Sequence, residues 1–514
     1  MTEEELRKMI GQHFVCGFEG TEMSEEFIQA VKTHKIANII LFARNVESKE
    51  QLIRLTSAIQ ELVREECNTD AFICIDQEGG MITRLSKDFT NVPGAMALAA
   101  TGRSEHAVEA GKVTGVELRA AGVNVDFAPT LDVNSNPANP VIGVRSYSDD
   151  PAIVSEFGLA MIEGLQEGGV IACGKHFPGH GDTHLDSHLS LPTVSGNLDL
   201  HLEPFKAAID YGVKAIMSSH ILFPELEDEH LPATMSRKIL SDLLKKKLGF
   251  EGLLFTDCME MKAIADHWGT IEGSLLALRA GVDIVCISHH VNLGVAAIEL
   301  VEQAIEAGTL DVEELKVSTQ KILKIKEALK EISVASSSVI GQDEHTLLNR
   351  QLHEQSITLV NDVPFDLGER VLYVGPRPFR ATNASDDGEQ VLFGTYLSNL
   401  LGGDQLLISD DPVADEITKV VQRAKEYDSV VLGTYNGHLF TGQIELANAI
   451  GEVTPLTVFA LRNPYDLSSL NPEIRSYAAW AYTPMVFEAI SKIITGEIEA
   501  LGHLPIHLGG RSNA

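Results

Sequence analysis

The sequence predicts an α/β protein, an N-terminal (β/α)8 TIM-type barrel followed by a smaller α/β/α sandwich domain. Three observations predict it. Eight short apolar, β-branched runs recur up to Ile287 and alternate with amphipathic stretches of helical length. Each run exits into polar or charged residues. Beyond a serine-rich stretch, a second and shorter alternation of strands and helices begins. Strands buried on both faces and separated by helices imply a parallel sheet, and eight is the number that closes a barrel.

In chain order, the barrel strands are expected at 13–18, 37–42, 71–75, 123–127, 170–173, 214–217, 252–255 and 282–287. Apolar residues spaced by three and four predict helices between them at 49–67, 105–121, 152–167, 200–211, 236–248 and 271–280. Gly122, Gly168, Gly212, Gly249 and Gly281 stand where these helices would stop, as helix ends favour a left-handed residue. A Lys/Glu-rich helix over 311–332 leads into SVASSSV, read as a flexible joint. Strands follow at 370–374, 405–408, 429–433, 456–461 and 476–481, with helices at 414–427, 444–450 and 485–494. The expected boundaries are 1–332 for the barrel, 333–340 for the linker and 341–514 for the second domain. No GxGxxG follows a strand and no P-loop is present, so no nucleotide or other cofactor is expected.

The chain has 514 residues, 44% hydrophobic and 22% charged, the composition of a folded protein rather than a disordered or fibrous one. Lys+Arg number 40 and Asp+Glu 73, a formal charge of −33. A field of that sign repels phosphate backbones and anionic lipid, so neither nucleic acid nor a membrane is expected as a partner. The N-terminal MTEEELRKMIGQHFVCGF has acid where a secretion signal needs base, and no apolar run is long enough to span a bilayer. A cytoplasmic location is therefore expected. The six cysteines form no CxxC pair, and Cys16, Cys74, Cys173 and Cys286 fall inside predicted strands. Packed thiols are expected rather than disulfides.

The strand exits carry Glu19, Arg44 with Asn45, Asp76, Asp132, Lys175 with His176, Ser219 with His220, Asp257, and Ser288 with His289. In a β/α barrel all exits converge on the C-terminal face, where one catalytic pocket would form. The densest segment is KHFPGHGDTHLDSH at 175–188, with His176, His180, His184 and His188 four apart. On a helix that spacing would line a metal site, but Pro178, Gly179 and Gly181 make this a loop, and no metal is expected. Within it, Asp186 stands two residues before His188. A carboxylate so placed can accept the imidazole N–H, fix its tautomer and leave the other nitrogen to exchange a proton, though a solvated pair would read the same. Ser187 lacks the GxSxG elbow of serine hydrolases. Asp257, in LLFTDCMEM, leaves the seventh strand as either a nucleophile or a cap for the next helix. Asp76, in IDQEGGMITRL, suits a sugar diol or a structural ion pair, with a Gly-Gly turn bringing Arg84 back towards it. Arg145 and Lys175 add positive charge to the same pocket.

IDQEGG, GVRSY, KHFPGHG followed by DSH, and FTD with a nearby Met together resemble glycoside hydrolase family 3, and in particular its bacterial β-N-acetylglucosaminidase branch. The resemblance covers the barrel, and the second region resembles the sandwich of two-domain members. It implies that Asp257 is the nucleophile, His188 the acid/base and Asp186 its orienting partner. It places sugar-binding positions on Asp76, Arg84, Arg145, Lys175 and His176. Many family members bring an acid/base Glu from the second domain, whereas this branch uses the loop His. Met81 departs from the pattern, since the Gly-Gly pair is often followed by Arg. The implied reaction is two-step retaining hydrolysis of terminal β-linked N-acetylglucosamine from wall-derived muropeptides or chito-oligosaccharides. A phosphorylase, and a β-glucosidase or β-xylosidase of the same family, are the alternatives. The second domain is expected to supply stability or assembly, although residues 435–438 could touch a bound aglycone.

Overall fold

A computed structural model describes residues 2–183, 186–187, 190–196, 198–378 and 391–509. Eight parallel strands close a barrel in sequence order: β1 (Phe14–Cys16), β2 (Asn38–Leu41), β3 (Phe72–Ile75), β4 (Val125–Asp126), β5 (Ile171–Phe177), β6 (Ala215–Ser218), β7 (Leu253–Cys258) and β8 (Ile284–Ile287). Closure is made by β1 on β8, with Phe14 opposite Val285. Side chains alternate across each strand. Val15, Ile40, Cys74, Phe127, Cys173, Met217, Phe255 and Cys286 fill the interior, while Ile39, Ile73, Ala172 and Val285 pack outward on the helices. Both faces are buried, which is why the runs read as nearly continuous apolar sequence. The six cysteines are unpaired thiols.

The helices between strands obey local rules. Ser48 caps Lys49–Cys67 by accepting the Gln51 N–H at 3.2 Å, and Asn68 ends it in the left-handed region. After Pro151–Glu167 the left-handed residue is Gly169 rather than the expected Gly168, which stays right-handed. The Lys/Glu-rich helix Val312–Lys330 closes the N-terminal end of the barrel with Ile322 and Leu329. Its Lys326 reaches Gln12 Oε1 at 2.8 Å and lies over the Phe72 ring, and burial pulls its pKa down to about 7. No helix among the described residues is long and apolar enough to cross a membrane.

The serine-rich stretch is exposed from Ser333 to Ser338 and ends in the 3-10 turn Ser337–Val339 before Ile340 buries. The Gly341 N–H and His345 Nδ1 both meet Glu117 Oε1, at 3.0 and 2.7 Å, so the following helix Asp343–Ser356 is tied to the barrel. The second sheet comprises β9 (Thr358–Asn361), β10 (Val371–Pro376), β11 (Asp404–Ile408), β12 (Ser429–Thr434), β13 (Leu456–Ala460) and β14 (Arg475–Ala478). Its order is β11-β10-β12-β13-β14-β9, parallel except for β9. β9 was not expected from the sequence: TLVN is short, and it pairs only as an antiparallel edge. The helix Phe393–Leu401 was also not expected.

Alternate residues of β10 separate two apolar layers. Leu372 and Val374 face Val420, Leu446 and Ile450, whereas Val371 and Tyr373 face Phe393, Phe487 and Ile490. The first layer also takes in Met96, Ala97, Ala100 and Val144 of the barrel side. The two domains therefore share a hydrophobic core. Burying each large apolar side chain there is worth on the order of 1.5–3 kcal/mol.

Candidate active site

A cleft of about 460 Å³ opens at the C-terminal ends of the barrel strands. The exits of β2, β3, β5, β7 and β8 line it, contributing Arg44, Asp76, Lys175, His176, Asp257, Ser288 and His289. The β4 exit also reaches it through Phe127 and Arg145, whereas the expected exit residues Glu19, Asn45, Asp132, Ser219 and His220 do not line it. Glu19 is exposed and pairs with Arg44 at 3.0 Å. Asp132 lies behind His176, and His220 is spent on Thr234 and the Cys258 carbonyl, each at 2.9 Å. A larger cavity of about 710 Å³ lies at the other end of the barrel. Its Arg64 and Lys330 are held at 2.6 Å by Asp70 and Glu327, and Arg119 donates to the Leu329 carbonyl at 2.8 Å.

Lys175 and His176 belong to β5 itself, which runs past the expected end to Phe177. Rigid backbone thus carries both groups to the cleft floor. Lys175 Nζ lies 2.7 Å from Asp76 Oδ1 and 2.7 Å from Glu78 Oε1. Arg145 grips Glu78 with both arms, Nη2 to Oε1 at 2.7 Å and Nε to Oε2 at 2.9 Å. Burial would raise the Glu78 pKa, but the two adjacent cations overcome it and hold the carboxyl well below its ordinary range. Burial would likewise lower the Lys175 pKa, and Asp76 with Glu78 reverses this. Asp76 is therefore both a cleft group and an ion-pair partner.

Sequence reasoning did not single out Glu78. Two positions after Asp76 on a loop, its direction was not readable; the signal was a carboxylate in a segment that must neutralise two pocket cations. We expect Glu78→Gln to cost about 3–5 kcal/mol of stability, because two buried cations would be left with one carboxylate. Denaturant titration measures this, and an unchanged midpoint would show that the cations are satisfied without Glu78.

Asp132 organises the base of the loop. Its carboxylate accepts the His176 N–H at 3.1 Å, the His180 N–H at 2.7 Å and the His176 Nδ1–H at 2.7 Å. Burial would raise its pKa, but His176 beside it pulls the carboxyl below the ordinary value. With Nδ1 committed as donor, His176 turns Nε2 towards Asp257 Oδ2, 3.9 Å away. Asp257 accepts its own Cys258 N–H at 2.7 Å. The next helix, Lys262–Ala265, has Met261 at its N-cap, so Asp257 is not a helix cap. Arg84 is 5% exposed and lines the cleft, with its guanidinium 5.8 Å from the Phe42 ring. Arg44 covers Phe42 at 4.5 Å and His289 leans on it at 5.2 Å.

Asp186 is buried, and the neighbouring Ser187 Oγ meets His180 Nε2 at 2.9 Å while its carbonyl accepts the Ala263 N–H at 3.3 Å. The loop is thereby fastened to the chain just beyond β7. His188, like His184, lies outside the described residues. Among the described residues no group of three or more His, Cys, Asp or Glu is placed to hold a metal ion. Met81 turns away from the cleft: its sulfur accepts the Tyr482 N–H at 3.3 Å, and it packs on the second sheet. Tyr435 and Asn436, offered as aglycone contacts, are buried, and the cleft's lining among the described residues ends at His289.

The molecule thus joins a closed barrel with an acid- and base-rich mouth to a six-stranded, mostly parallel sheet. Residues 1–325 match the family described as Glycosyl hydrolase family 3 N terminal domain. Beta-hexosaminidase A of Pseudoalteromonas piscicida is 36% identical over 377 residues, covering 68% of this chain and 63% of that protein. The Beta-hexosaminidase of Methylobacillus flagellatus is 34% identical over 279 residues, 52% of this chain and 78% of that one. The chain belongs to glycosyl hydrolase family 3. Among solved structures it is similar to a family 3 beta-N-acetylglucosaminidase from Paenibacillus sp. strain FPU-7, with a TM-score of 0.91 and 36% identity over 99% of each chain.

Proposed function

We propose that this protein is a retaining β-N-acetylglucosaminidase acting in the cytoplasm on terminal β-linked N-acetylglucosamine of muropeptides or chito-oligosaccharides. The observation that carries the reading is Asp257, presented on strand β7 at the floor of a cleft whose wall is the Asp76–Lys175–Glu78–Arg145 network. The names of the similar proteins support the sugar, and unpaired thiols suit a reducing compartment. In this reading Asp76, Arg84, Arg145, Lys175 and His176 hold the sugar. Asp257 attacks the anomeric carbon while His188, oriented by Asp186, protonates the leaving oxygen. His188 then takes a proton from water, which releases the sugar from Asp257.

A neutral imidazole in place of a carboxylate would also admit phosphate as the second-step acceptor. Lys175 and Arg145 are already matched by Asp76 and Glu78, which favours water. The test is turnover of aryl β-N-acetylglucosaminides against aryl glucosides and xylosides, with product analysis in millimolar phosphate and in a phosphate-free buffer. Free N-acetylglucosamine is expected in both buffers. N-acetylglucosamine 1-phosphate as main product would make the enzyme a phosphorylase, and preference for the glucoside or xyloside would overturn the sugar assignment.

A further inference from the structure

The turn that presents Arg145 is held from the second domain. It is the 3-10 segment Gly143–Arg145, and such a turn begins with N–H groups that have no partner inside it. Each of these is met by an asparagine side chain. Asn139 Oδ1 accepts the Val141 and Ile142 N–H groups, both at 2.9 Å. Asn134 Oδ1 accepts the Gly143 N–H at 3.1 Å, and Asn134 Nδ2 donates to the Tyr465 hydroxyl at 2.8 Å. Asn463 Oδ1 accepts the Val144 N–H at 3.1 Å. Asn463 and Tyr465 belong to the loop after β13, in the second domain.

The fit at Asn463 is close. Gly143 has φ 45°, and a Cβ there would stand 2.4 Å from Asn463 Oδ1. Asn463 is 6% exposed, and its Nδ2 donates to Asn436 Oδ1 at 2.8 Å, which fixes the amide with its oxygen towards the turn. The path from Asn463 continues through Val144 to Arg145, then Glu78, Lys175 and Asp76, by the bonds already given. None of the second-domain residues in it lines the cleft.

We propose that Asn463 is a positioning residue for Arg145: by capping the Val144 N–H it sets the guanidinium that orders the sugar-binding network, without touching the sugar. The kinetic half of this rests on the function proposed above. The structural half does not. Asn463→Ala should raise KM for an aryl N-acetylglucosaminide by about 10-fold, the scale of one lost buried hydrogen bond, with a smaller effect on kcat. Asn463→Asp keeps an acceptor oxygen but loses the Nδ2 donor to Asn436 and buries a charge, so it should be impaired as well. His507→Ala, which cuts the surface contact between Asp149 and His507, should leave both constants unchanged. Because Asn463 acts through Arg145, adding Asn463→Ala to Arg145→Ala should cost little more than Arg145→Ala alone.

Hydrogen exchange supplies a readout that needs no substrate. The Val144 amide should exchange about 10-fold faster in Asn463→Ala, with distant strands of both domains unchanged. Additive losses in the double variant would overturn the proposal, as would unchanged exchange at Val144. If wild type failed on every N-acetylglucosaminide while Val144 exchange still responded, the substrate assignment would fall and the capping role would stand.

Discussion

Asp257→Ala should abolish nearly all turnover, a fall on the order of 10⁴-fold, while the barrel stays folded. The size of the effect follows from the role proposed for it: with Asp257 as nucleophile, its loss leaves no group to form the glycosyl-enzyme. The barrel should tolerate the change because Asp257 lies at the end of β7, past the packed interior, where its side chain is 19% exposed. A 2-fluoro glycosyl fluoride or a slow aryl substrate should leave a covalent label on Asp257 of the wild-type protein. Peptide mapping decides the matter, and a label on any other residue would sink the assignment.

The second large effect is expected at the loop pair. His188→Ala should slow hydrolysis of substrates with poor leaving groups by about 10²–10⁴-fold, the range of general acid catalysis. Activated aryl leaving groups need little protonation and should lose far less in glycosylation. Asp186→Asn should follow the same leaving-group trend with a smaller loss, because it weakens the support of the imidazole without removing it. The anchoring of Ser187 by His180 and by the Ala263 N–H holds the intervening residue, so the trend reports chemistry rather than a displaced loop. Equal losses across leaving groups, with glycosylation rate-limiting, would argue against an acid role for His188.

The barrel was legible because its strands are buried on both faces, and runs such as FICI and IVCI admit no amphipathic helix reading. The exits were legible as residue types but not as directions. Lys175 and Asp257 reach the cleft because β5 and β7 run on through them, whereas Asp132 turns behind His176 to fix the ring. β4 is regular only over Val125 and Asp126 of the five residues expected, although the chain stays bonded to β5 beyond it, with the Ala128 and Pro129 carbonyls accepting the Cys173 and Lys175 N–H groups. Glu78 was hidden by loop geometry that spacing does not encode. Asn463 was hidden by distance: no local pattern joins it to Val144, and only the packed interface reveals the bond. Met81, which departs from the family pattern, lies in the same interface, with its sulfur against the Tyr482 N–H.

That interface also orders events during synthesis. Val144 and Asn463 are 319 residues apart in the chain. At about 5–20 residues per second, a ribosome needs roughly 15–60 s to bridge that interval. Throughout it the emerging barrel carries Met96, Ala97, Ala100 and Val144 without the sheet that covers them, a seam open to chaperones or to other nascent chains. A product released early would keep that seam for good. The ordered turn beneath Arg145 would then be complete only once Asn463 has emerged, long after the eight barrel strands have left the exit tunnel.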